Sequence, residues 1–263
     1  ATFQPSLETA PKVLAGSRPH MARMISRAEA EDPEAVEALA EIYRQAGRSH
    51  VVGITGVPGG GKSTLIAALI RTLSTAGRSI AVVVVDPSSP FTGGAVLGDR
   101  IRMSDSAQAA GAFVRSMATR GHLGGLARET MQAVDVLDAA GYSPILIETV
   151  GVGQDEIEIM GAAHTVVVLS PPGLGDDIQA IKAGVMEIAD IHVVSKADKP
   201  EAAAAVTALK GMLALGSDVR RPGWSPPILP VSASSGDGVG ELAAAIEGHW
   251  QHLHESGEIR TRQ

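Results

Sequence analysis

The sequence predicts an α/β protein built on a doubly wound, mostly parallel sheet. Six short runs of apolar, mostly β-branched residues recur between residues 51 and 232, and helical patterns lie between them. Most of these runs are apolar at consecutive positions, which is typical of strands that are buried on both faces. Strands are predicted over residues 51–55, 80–85, 144–150, 165–170, 191–195 and 228–232, and helices over 64–76, 126–140 and the alanine run at 201–205.

The residues before this sheet predict a helical extension. Residues 1–20 contain Pro, Gly and Ser, and we expect them to be poorly ordered. The apolar spacing over residues 18–45 then indicates two helices. The second of these begins at Asp32, which is placed to cap it, with Pro33 in its first turn.

A glycine-rich turn joins the first predicted strand to the next helix. From Gly56 to Ser63 it reads G-x-x-x-x-G-K-S, a phosphate-binding motif when a strand precedes it and a helix follows. Glycines let the backbone point N–H groups at phosphate oxygens, and the helix start adds its positive dipole end. Lys62 is expected to neutralise the phosphates, and the Ser63 hydroxyl to ligate Mg²⁺. The predicted nucleotide contacts here are Gly56, Pro58, Gly59, Gly60, Gly61, Lys62, Ser63 and Thr64.

Three acidic residues are expected near that magnesium ion and an attacking water. Asp86 ends the second predicted strand, and Glu148 lies at the carboxyl end of the third. Asp99 follows several glycines in a segment that is suited to close over a phosphate. Carboxylates at such positions hold Mg²⁺ or orient water, and the less favoured alternative for Asp86 and Asp99 is a cap on a turn. Gln154 is a further candidate to position water, but its spacing differs from that of small GTPases.

A guanine-reading motif follows a later strand. In Ser195-Lys196-Ala197-Asp198 the Asp198 carboxylate can accept hydrogen bonds from the guanine ring N–H and 2-amino group, and Lys196 can cover the base. Adenine lacks these donors, so the motif favours GTP over ATP. The predicted base contacts are Ser195, Lys196 and Asp198, with Ser232, Ala233 and Ser234 in the loop that meets the guanine carbonyl.

Composition excludes several classes of protein. The net charge of −7, without a basic block, argues against nucleic acid as the main partner. With no cysteine there is no disulfide, thiolate metal site or cysteine nucleophile. The apolar segments are too short and interrupted to span a bilayer, and the first residues lack a signal-peptide core. We therefore expect a cytoplasmic location and no membrane contact.

Several strings in the chain resemble one known family. The segments GVPGGGKST, LGDRIRM, IETVGVGQDE, GLGDDIQAIKAGVMEIAD and SKAD look like the metallochaperone-related P-loop GTPases of the MeaB/ArgK/MMAA branch. The resemblance runs from about Arg18 to the C-terminus. It implies a GTPase of the SIMIBI class that binds GTP or GDP with Mg²⁺. It also implies that the partner is an adenosylcobalamin-dependent acyl-CoA mutase, whose cofactor loading and reactivation the GTPase controls.

The resemblance also implies roles for specific residues. It makes Lys62, Asp86, Asp99 and Glu148 catalytic, and it places Ser63 with those three acids around the metal. Residues 172–182 correspond to a mobile loop that couples the mutase to hydrolysis, from which Lys182 is expected to enter the nucleotide site. Without the resemblance, that stretch reads equally well as an ordinary loop and helix cap. The implied domains are an N-terminal helical extension (1–48), a P-loop GTPase domain (49–250) and the start of a C-terminal extension (251–263).

The chain departs from the family pattern in three places. Ser195 stands where the family usually has Asn, which is expected to change a hydrogen bond near the guanine ring or the P-loop. Three successive glycines, Gly59 to Gly61, favour a more flexible P-loop. Family members usually continue beyond the position of Gln263 with a helical arm that builds a homodimer. Residues 251–263 are expected either to begin such an arm, which is then truncated, or to end a chain that lacks it, and a homodimer of this kind is expected only in the first case.

Three other functions remain open on the sequence alone. A nickel-insertion GTPase would need a Cys or His cluster, whereas the eight histidines are scattered along the chain and His122 reads as a loop or core residue. The Lys196 and Asp198 pair, which favours guanine over adenine, argues against an ATP-dependent kinase. A nucleotide-sensing scaffold without turnover is the non-enzymatic alternative, which Glu148 in place of the commoner Asp permits. The client mutase cannot be read from the sequence.

Overall fold

The computed structural model describes residues 5–86, 111–118, 125–149, 160–173, 188–215 and 223–262. Elements are numbered within these residues. The strands are β1 (Val51–Gly56), β2 (Ala81–Asp86), β3 (Phe113–Ala118), β4 (Ile145–Thr149), β5 (Thr165–Ser170), β6 (Ile191–Ser195) and β7 (Ile228–Val231). The helices are α1 (Ser6–Leu14), α2 (Arg18–Glu29), α3 (Val36–Tyr43), α4 (Lys62–Thr75), α5 (Gly125–Ala139), α6 (Ala202–Leu215) and α7 (Val239–Ser256), with 3₁₀ turns at Pro33–Ala35 and Glu258–Thr261.

The seven strands form one parallel sheet in the order β3-β2-β4-β1-β5-β6-β7. Strand β1 is at its centre, paired with β4 on one side and β5 on the other. Because all the strands are parallel, their carboxyl ends share one edge, which we call the carboxyl edge, and their amino ends share the opposite amino edge. The predicted α/β class with a doubly wound parallel sheet is confirmed.

Two hydrophobic layers cover the faces of the sheet. Helices α4 and α7 bury Leu65, Leu69, Leu242 and other apolar side chains against one face. The other face packs against α5, α6 and the three N-terminal helices, whose contributions include Met24. These N-terminal helices therefore share the main core of the sheet.

Polar contacts tie the same helices to the domain. Arg115 of β3 pairs with Glu29 of α2, and Arg128 of α5 lies 2.7 Å from Glu31. The carboxylate of Asp138 in α5 accepts backbone N–H bonds from residues 47, 48 and 49, in the segment that leads into β1. This segment is thus fixed directly before the central strand.

Two sequence-based expectations about local structure are wrong. Residues 6–14 form a regular helix, whereas 1–20 were expected to be poorly ordered. The buried Ser6 anchors that helix, because its backbone N–H and hydroxyl both donate to Glu34, at 2.6 and 2.5 Å. Strand β3 was not predicted, because it lies at the sheet edge and Arg115 and Ser116 interrupt its apolar pattern.

Two other local predictions concern the cap at Asp32 and the end of the domain core. Asp32 accepts a bond from the Glu34 backbone N–H at 3.1 Å, which confirms its capping role, although the turn it caps is a 3₁₀ turn that precedes α3. Helix α7 runs without a break through residue 250, where the domain core was expected to end. Its residues His249 and Leu253 are buried on either side of that position.

Candidate nucleotide-binding site

The turn after β1 takes a conformation that only glycine accommodates easily. Gly56 has a φ of 142°, and a Cβ there would lie 2.3 Å from the Leu169 carbonyl oxygen of β5. Gly59 and Gly61 are in the left-handed region, with φ of 71° and 93°. A Cβ on Gly60 would lie 2.9 Å from the carbonyl oxygen of Val57. The turn therefore packs tightly on β5 and leads directly into α4, which begins at Lys62.

Lys62 folds back over this turn. Its ammonium group donates to the carbonyl oxygens of Gly56 and Val57, at 2.8 and 3.1 Å, and the residue is 6% exposed. Burial lowers the pKa of Lys62, and the nearby Glu148 carboxylate opposes that shift. The ammonium group therefore lies against the backbone of the turn, where its charge can attract an anion such as phosphate.

Ser63 and Glu148 form the second polar contact of the site. The Ser63 hydroxyl donates to Glu148 at 2.7 Å, and Glu148 is 2% exposed. The sheet fixes that carboxylate, since Glu148 is the Cα partner of Ile54 in β1 and of Val84 in β2. Serine hydroxyl and carboxylate oxygens are hard donors of the kind Mg²⁺ prefers, so this pair fits a magnesium ion.

The other predicted acidic and basic residues are only partly placed. The backbone of Asp86 ends β2, two residues beyond Val84, so it reaches the same carboxyl edge as Glu148. Its side chain is not among the described groups. Asp99, Gln154 and Lys182 lie outside the described residues. Pro58 and Thr64 are exposed at the outer side of the turn.

The loop after β6, Ser195 to Asp198, is the one predicted to read the base, and we call it the base-reading loop; it contacts the P-loop directly. The Ser195 hydroxyl donates to the Gly60 carbonyl oxygen at 2.7 Å, and the Lys196 ammonium donates to that of Gly59 at 2.9 Å. Lys196 has a φ of 54°, which is uncommon for a residue with a side chain and is held here by the two contacts. Ser195 thus contacts the P-loop backbone, one of the two places where a changed hydrogen bond was expected from serine at this position.

Asp198 is exposed at the mouth of the site, and its neighbours orient it. The Ser232 hydroxyl donates to the Asp198 carboxylate at 2.7 Å and lies 3.1 Å from the Ser234 hydroxyl. The Ser232 bond is the main cause that lowers the pKa of Asp198. The two loops also join where the Ala197 N–H donates to the Val231 carbonyl oxygen at 3.2 Å, and Ala233 is half-buried beside them.

Sequence reasoning missed some contacts that support the site. The Thr149 and Thr55 hydroxyls are 3.1 Å apart and buried under the P-loop. Gly238, which precedes α7, has a φ of 77°, and a Cβ there would lie 2.3 Å from the Pro230 carbonyl oxygen. The two threonines are far apart in sequence, so nothing local marked them. The glycine pair around Asp237 was a detectable signal for a tight turn.

Two findings bear on metals and membranes. Within the described ranges, no group of three His, Asp or Glu side chains is arranged to hold a metal ion. Across that same part of the chain, no helix has both the length and the apolar character needed to cross a bilayer.

Known proteins are similar to this chain in sequence and in fold. Residues 21–263 match the family described as Methylmalonyl Co-A mutase-associated GTPase MeaB. GTPase ArgK of Escherichia coli is 36% identical over 251 residues, which cover 93% of this chain and 76% of the relative. The mouse mitochondrial methylmalonic aciduria type A homolog is 38% identical over 219 residues, which cover 81% and 52% of the two chains.

Solved structures agree with that assignment. A crystal structure titled LAO/AO transport system kinase superposes with a TM-score of 0.79 and 28% identity, over 100% of this chain and 80% of that one. The nickel-bound HypB of Helicobacter pylori has a TM-score of 0.56 over 87% of this chain and 96% of its own, and at 20% identity it supports the fold alone. The match across residues 21–263 and the shared GTPase fold together make this chain a GTPase of the MeaB family.

Proposed function

We propose that this GTPase acts on an adenosylcobalamin-dependent acyl-CoA mutase, where it gates loading of the cofactor and helps to replace an inactivated one. The observation that carries the proposal is the family match over residues 21–263, since that family is described by its association with methylmalonyl-CoA mutase. The 38% identity to the methylmalonic aciduria type A homolog of mouse also supports a mutase as the partner. Methylmalonyl-CoA mutase and its isobutyryl-CoA and 2-hydroxyisobutyryl-CoA relatives are the candidate clients.

The roles proposed at the phosphates follow from the P-loop contacts. Lys62 exchanges its bonds to the Gly56 and Val57 carbonyls for phosphate oxygens, and its charge stabilises the negative charge that grows in the transition state. The backbone N–H groups of residues 59–61 support the same oxygens. Since phosphoryl transfer asks for little covalent chemistry from the protein, these positioned groups account for most of the catalysis.

Ser63 and Glu148 are proposed to hold Mg²⁺, with Asp86 and Asp99 completing the acidic set. When bound, the ion would neutralise charge on the nucleotide phosphates. The Ser63 hydroxyl donates a hydrogen bond to Glu148, which leaves oxygen lone pairs of Ser63 for the metal and holds both groups in place. Lys182 is proposed to join the site from its loop when the partner docks.

Guanine is proposed to bind at Asp198. Ser232 holds one carboxylate oxygen and keeps the group ionised, so that it can accept both guanine donors. Ser195 and Lys196 attach the base-reading loop to Gly60 and Gly59, so that occupation of the base pocket also steadies the phosphate-binding turn.

The test is steady-state GTP hydrolysis by the chain alone and with each of a panel of adenosylcobalamin-dependent mutases. We expect a low basal rate that one mutase raises many-fold, because a partner that brings further groups to the nucleotide site completes it. The same assay with Lys62→Ala controls for contaminating hydrolysis. Hydrolysis that no mutase alters, from a chain that still binds GTP, would contradict the proposed partner and leave the GTPase assignment in place.

A further inference from the structure

Within the described residues, exposed large hydrophobic side chains occur only in the N-terminal helical extension. They are Leu7 of α1 and Val36 and Tyr43 of α3, which are 45%, 64% and 67% exposed. Single exposed apolar residues are common on protein surfaces, but three that share one short extension mark a candidate contact surface.

Val36 and Tyr43 belong to an exposed stripe that runs along α3. With about 3.6 residues per turn, positions 36, 40 and 43 fall on one side of a helix, and Val36, Ala40 and Tyr43 are all exposed. Ala38 and Ile42, on the opposite side, are buried in the main core. Helix α3 therefore has apolar residues on its outer side as well, where a helix at a solvated surface is usually polar.

Leu7 lies at the same end of the extension as Val36. It follows Ser6, whose backbone N–H and hydroxyl donate to Glu34, two residues before Val36. Helix α1 can therefore add to a contact that is made by the stripe of α3.

One flank of the stripe carries a charge of each sign. Glu37 at the start of α3 and Arg44 directly after its end are seven positions apart, about two helical turns, so they lie on the same flank. Both side chains are exposed. Within the part of the chain that the structure describes, neither has an ion-pair partner. Both charges are therefore available to a second molecule.

We propose that the outer side of α3 is a contact between two copies of this chain, related by a two-fold axis, in which the two α3 helices lie antiparallel and cross at Ala40. Val36 of each copy then faces Tyr43 of the other, and Glu37 of each copy pairs with Arg44 of the other. Ala40 is small enough to let the helix axes approach to about 8–10 Å. This contact uses residues 36–44 and not the arm that the family resemblance implies beyond Gln263.

The arrangement of charges favours a second copy over another partner. A half-turn about Ala40 brings the acidic start of each helix against the basic end of the other, so the surface is complementary to itself. A partner surface of one charge sign would leave either Glu37 or Arg44 unpaired. The like-charge neighbour in this arrangement is Glu41, which is half-buried and lies farther round the helix.

The size of the surface indicates a weak association. Helix α3 has eight residues and is therefore about 12 Å long, which is too short to bury the roughly 800 Å² per partner of a standard interface. We expect monomers at low micromolar concentration of the chain and dimers as the concentration approaches the millimolar range. The nucleotide site takes no part in this contact, so the dimer is independent of the proposed function.

Light scattering or sedimentation at a series of chain concentrations and constant ionic strength tests the contact. The average mass should rise from the 27.0 kDa of one chain towards twice that value. Glu37→Arg and Arg44→Glu should each lower the association constant about tenfold or more, because two attractive contacts become repulsive. Glu255→Arg, at an exposed glutamate of α7, is the matched control and should associate as the unaltered chain does.

Restoring the charge pairs distinguishes this contact from a general effect of charge. The double variant Glu37→Arg/Arg44→Glu has both pairs with their signs exchanged and should associate again. An equimolar mixture of the two single variants should form a mixed dimer, because the charges of each complement those of the other. Far-UV circular dichroism should be the same for all of these chains, since every substituted residue is exposed.

A covalent readout uses the absence of cysteine from the chain. Ala40→Cys places one thiol at the proposed two-fold axis, where two copies can bring their Cα atoms within the roughly 4.4–6.8 Å that a disulfide requires. Oxidised glutathione should therefore convert this variant to a disulfide-linked dimer much faster than Ala204→Cys, a control at an exposed alanine of α6.

Specific outcomes would overturn the contact. An average mass that stays at one chain up to millimolar concentration would do so, as would single charge reversals that associate as tightly as the unaltered chain. A mixture of the two single variants that remains monomeric would contradict the Glu37 and Arg44 pairing. A dependence on these residues that appears only when a mutase is added would assign the surface to that partner instead.

Discussion

The carboxyl and amino edges of the sheet both carry polar residues, but several of those at the carboxyl edge are exposed, whereas those at the amino edge are buried. At the carboxyl edge, the groups proposed to bind GTP sit on short loops, and several of them, such as Asp198, are exposed. At the amino edge, His249 and Asp190 are fully buried, and Asp190 accepts bonds from Arg262 and from the Val166 backbone N–H. The carboxyl edge thus presents groups that a ligand could reach, while the buried groups of the amino edge bond to other parts of the chain. Consequently, substitutions at the carboxyl edge should change the affinity for GTP, and acid should lower the free energy of unfolding through buried histidines near the amino edge.

Lys62→Ala is expected to have the largest effect at the carboxyl edge. It removes a cation that the P-loop holds by two carbonyl contacts, and charge-assisted bonds to phosphate contribute about 1.5–3 kcal/mol each. GTP affinity measured by calorimetry should fall roughly 100-fold or more, while the fold is kept. Lys199→Ala, an exposed lysine near the base-reading loop, is the matched control and should bind normally. Retained affinity in Lys62→Ala would contradict the assignment of the phosphate site.

Acid should destabilise the fold through buried histidines. Burial lowers the pKa of both His164 and His192 to about 4, so the unfolded chain binds their protons first as the pH falls. Their contribution is complete above the unfolded pKa of about 6.5 and is lost between there and about 4, on the order of 2–3 kcal/mol for each residue. Asp135 acts in the opposite direction, because burial and Asp138 raise its pKa to about 6.

Urea unfolding at a series of pH values measures this loss. The free energy of unfolding should be nearly constant near neutrality and should decrease below about pH 6.5. His192→Asn should flatten part of the decrease, whereas His20→Asn should change its slope less, because His20 is only half-buried. A free energy of unfolding that stays constant down to about pH 4.5 would show that these histidines are not held neutral by the fold.

Ser195 should have a smaller effect, because it contributes one neutral hydrogen bond to the Gly60 carbonyl oxygen. Loss of that bond in Ser195→Ala should cost about 0.5–1.5 kcal/mol, which is roughly a two- to tenfold decrease in GTP affinity. Ser195→Asn tests whether the residue usual in the family binds as well. Ser235→Ala, which changes an exposed serine bonded to Asp237, is the control and should have no effect. A Ser195→Ala chain with unchanged affinity would show that the link between the two loops does not matter for binding.

The difference between the edges also explains how much the sequence could predict. The carboxyl edge was largely readable, because Gly56 to Ser63 and Ser195 to Asp198 are contiguous motifs whose spacing carries the chemistry. The central strands were readable because most of their consecutive positions are apolar. Strand β3 was not, since an edge strand with Arg115 in it has no such run. Helix α1 was missed because Pro11 and the flanking prolines argued against it, while its anchor, Glu34, lies 28 residues away.

The grouping of His50, His164 and His249 at the amino edge lay beyond sequence reasoning for the same physical reason. His50, His164 and His249 are separated by more than eighty residues at each step, so they look scattered along the chain. The parallel register aligns the starts of β1, β5 and β6 and so brings His50, His164 and Asp190 together, and helix α7 places His249 against Thr165 and Asp190. Residues that meet by topology rather than by local spacing carry no motif. Their grouping here is a consequence of the fold.

The most direct test of the central claim is the nucleotide preference of Asp198→Asn. An asparagine amide matches the carbonyl at position 2 of xanthine, whereas it cannot accept both guanine donors. We predict that the variant loses affinity for GTP and gains affinity for xanthosine triphosphate, while Asp237→Asn, at an exposed aspartate of the neighbouring loop, keeps the preference for GTP. Binding of GTP by Asp198→Asn as tight as that of the unaltered chain would contradict the account, because the base would then be recognised elsewhere.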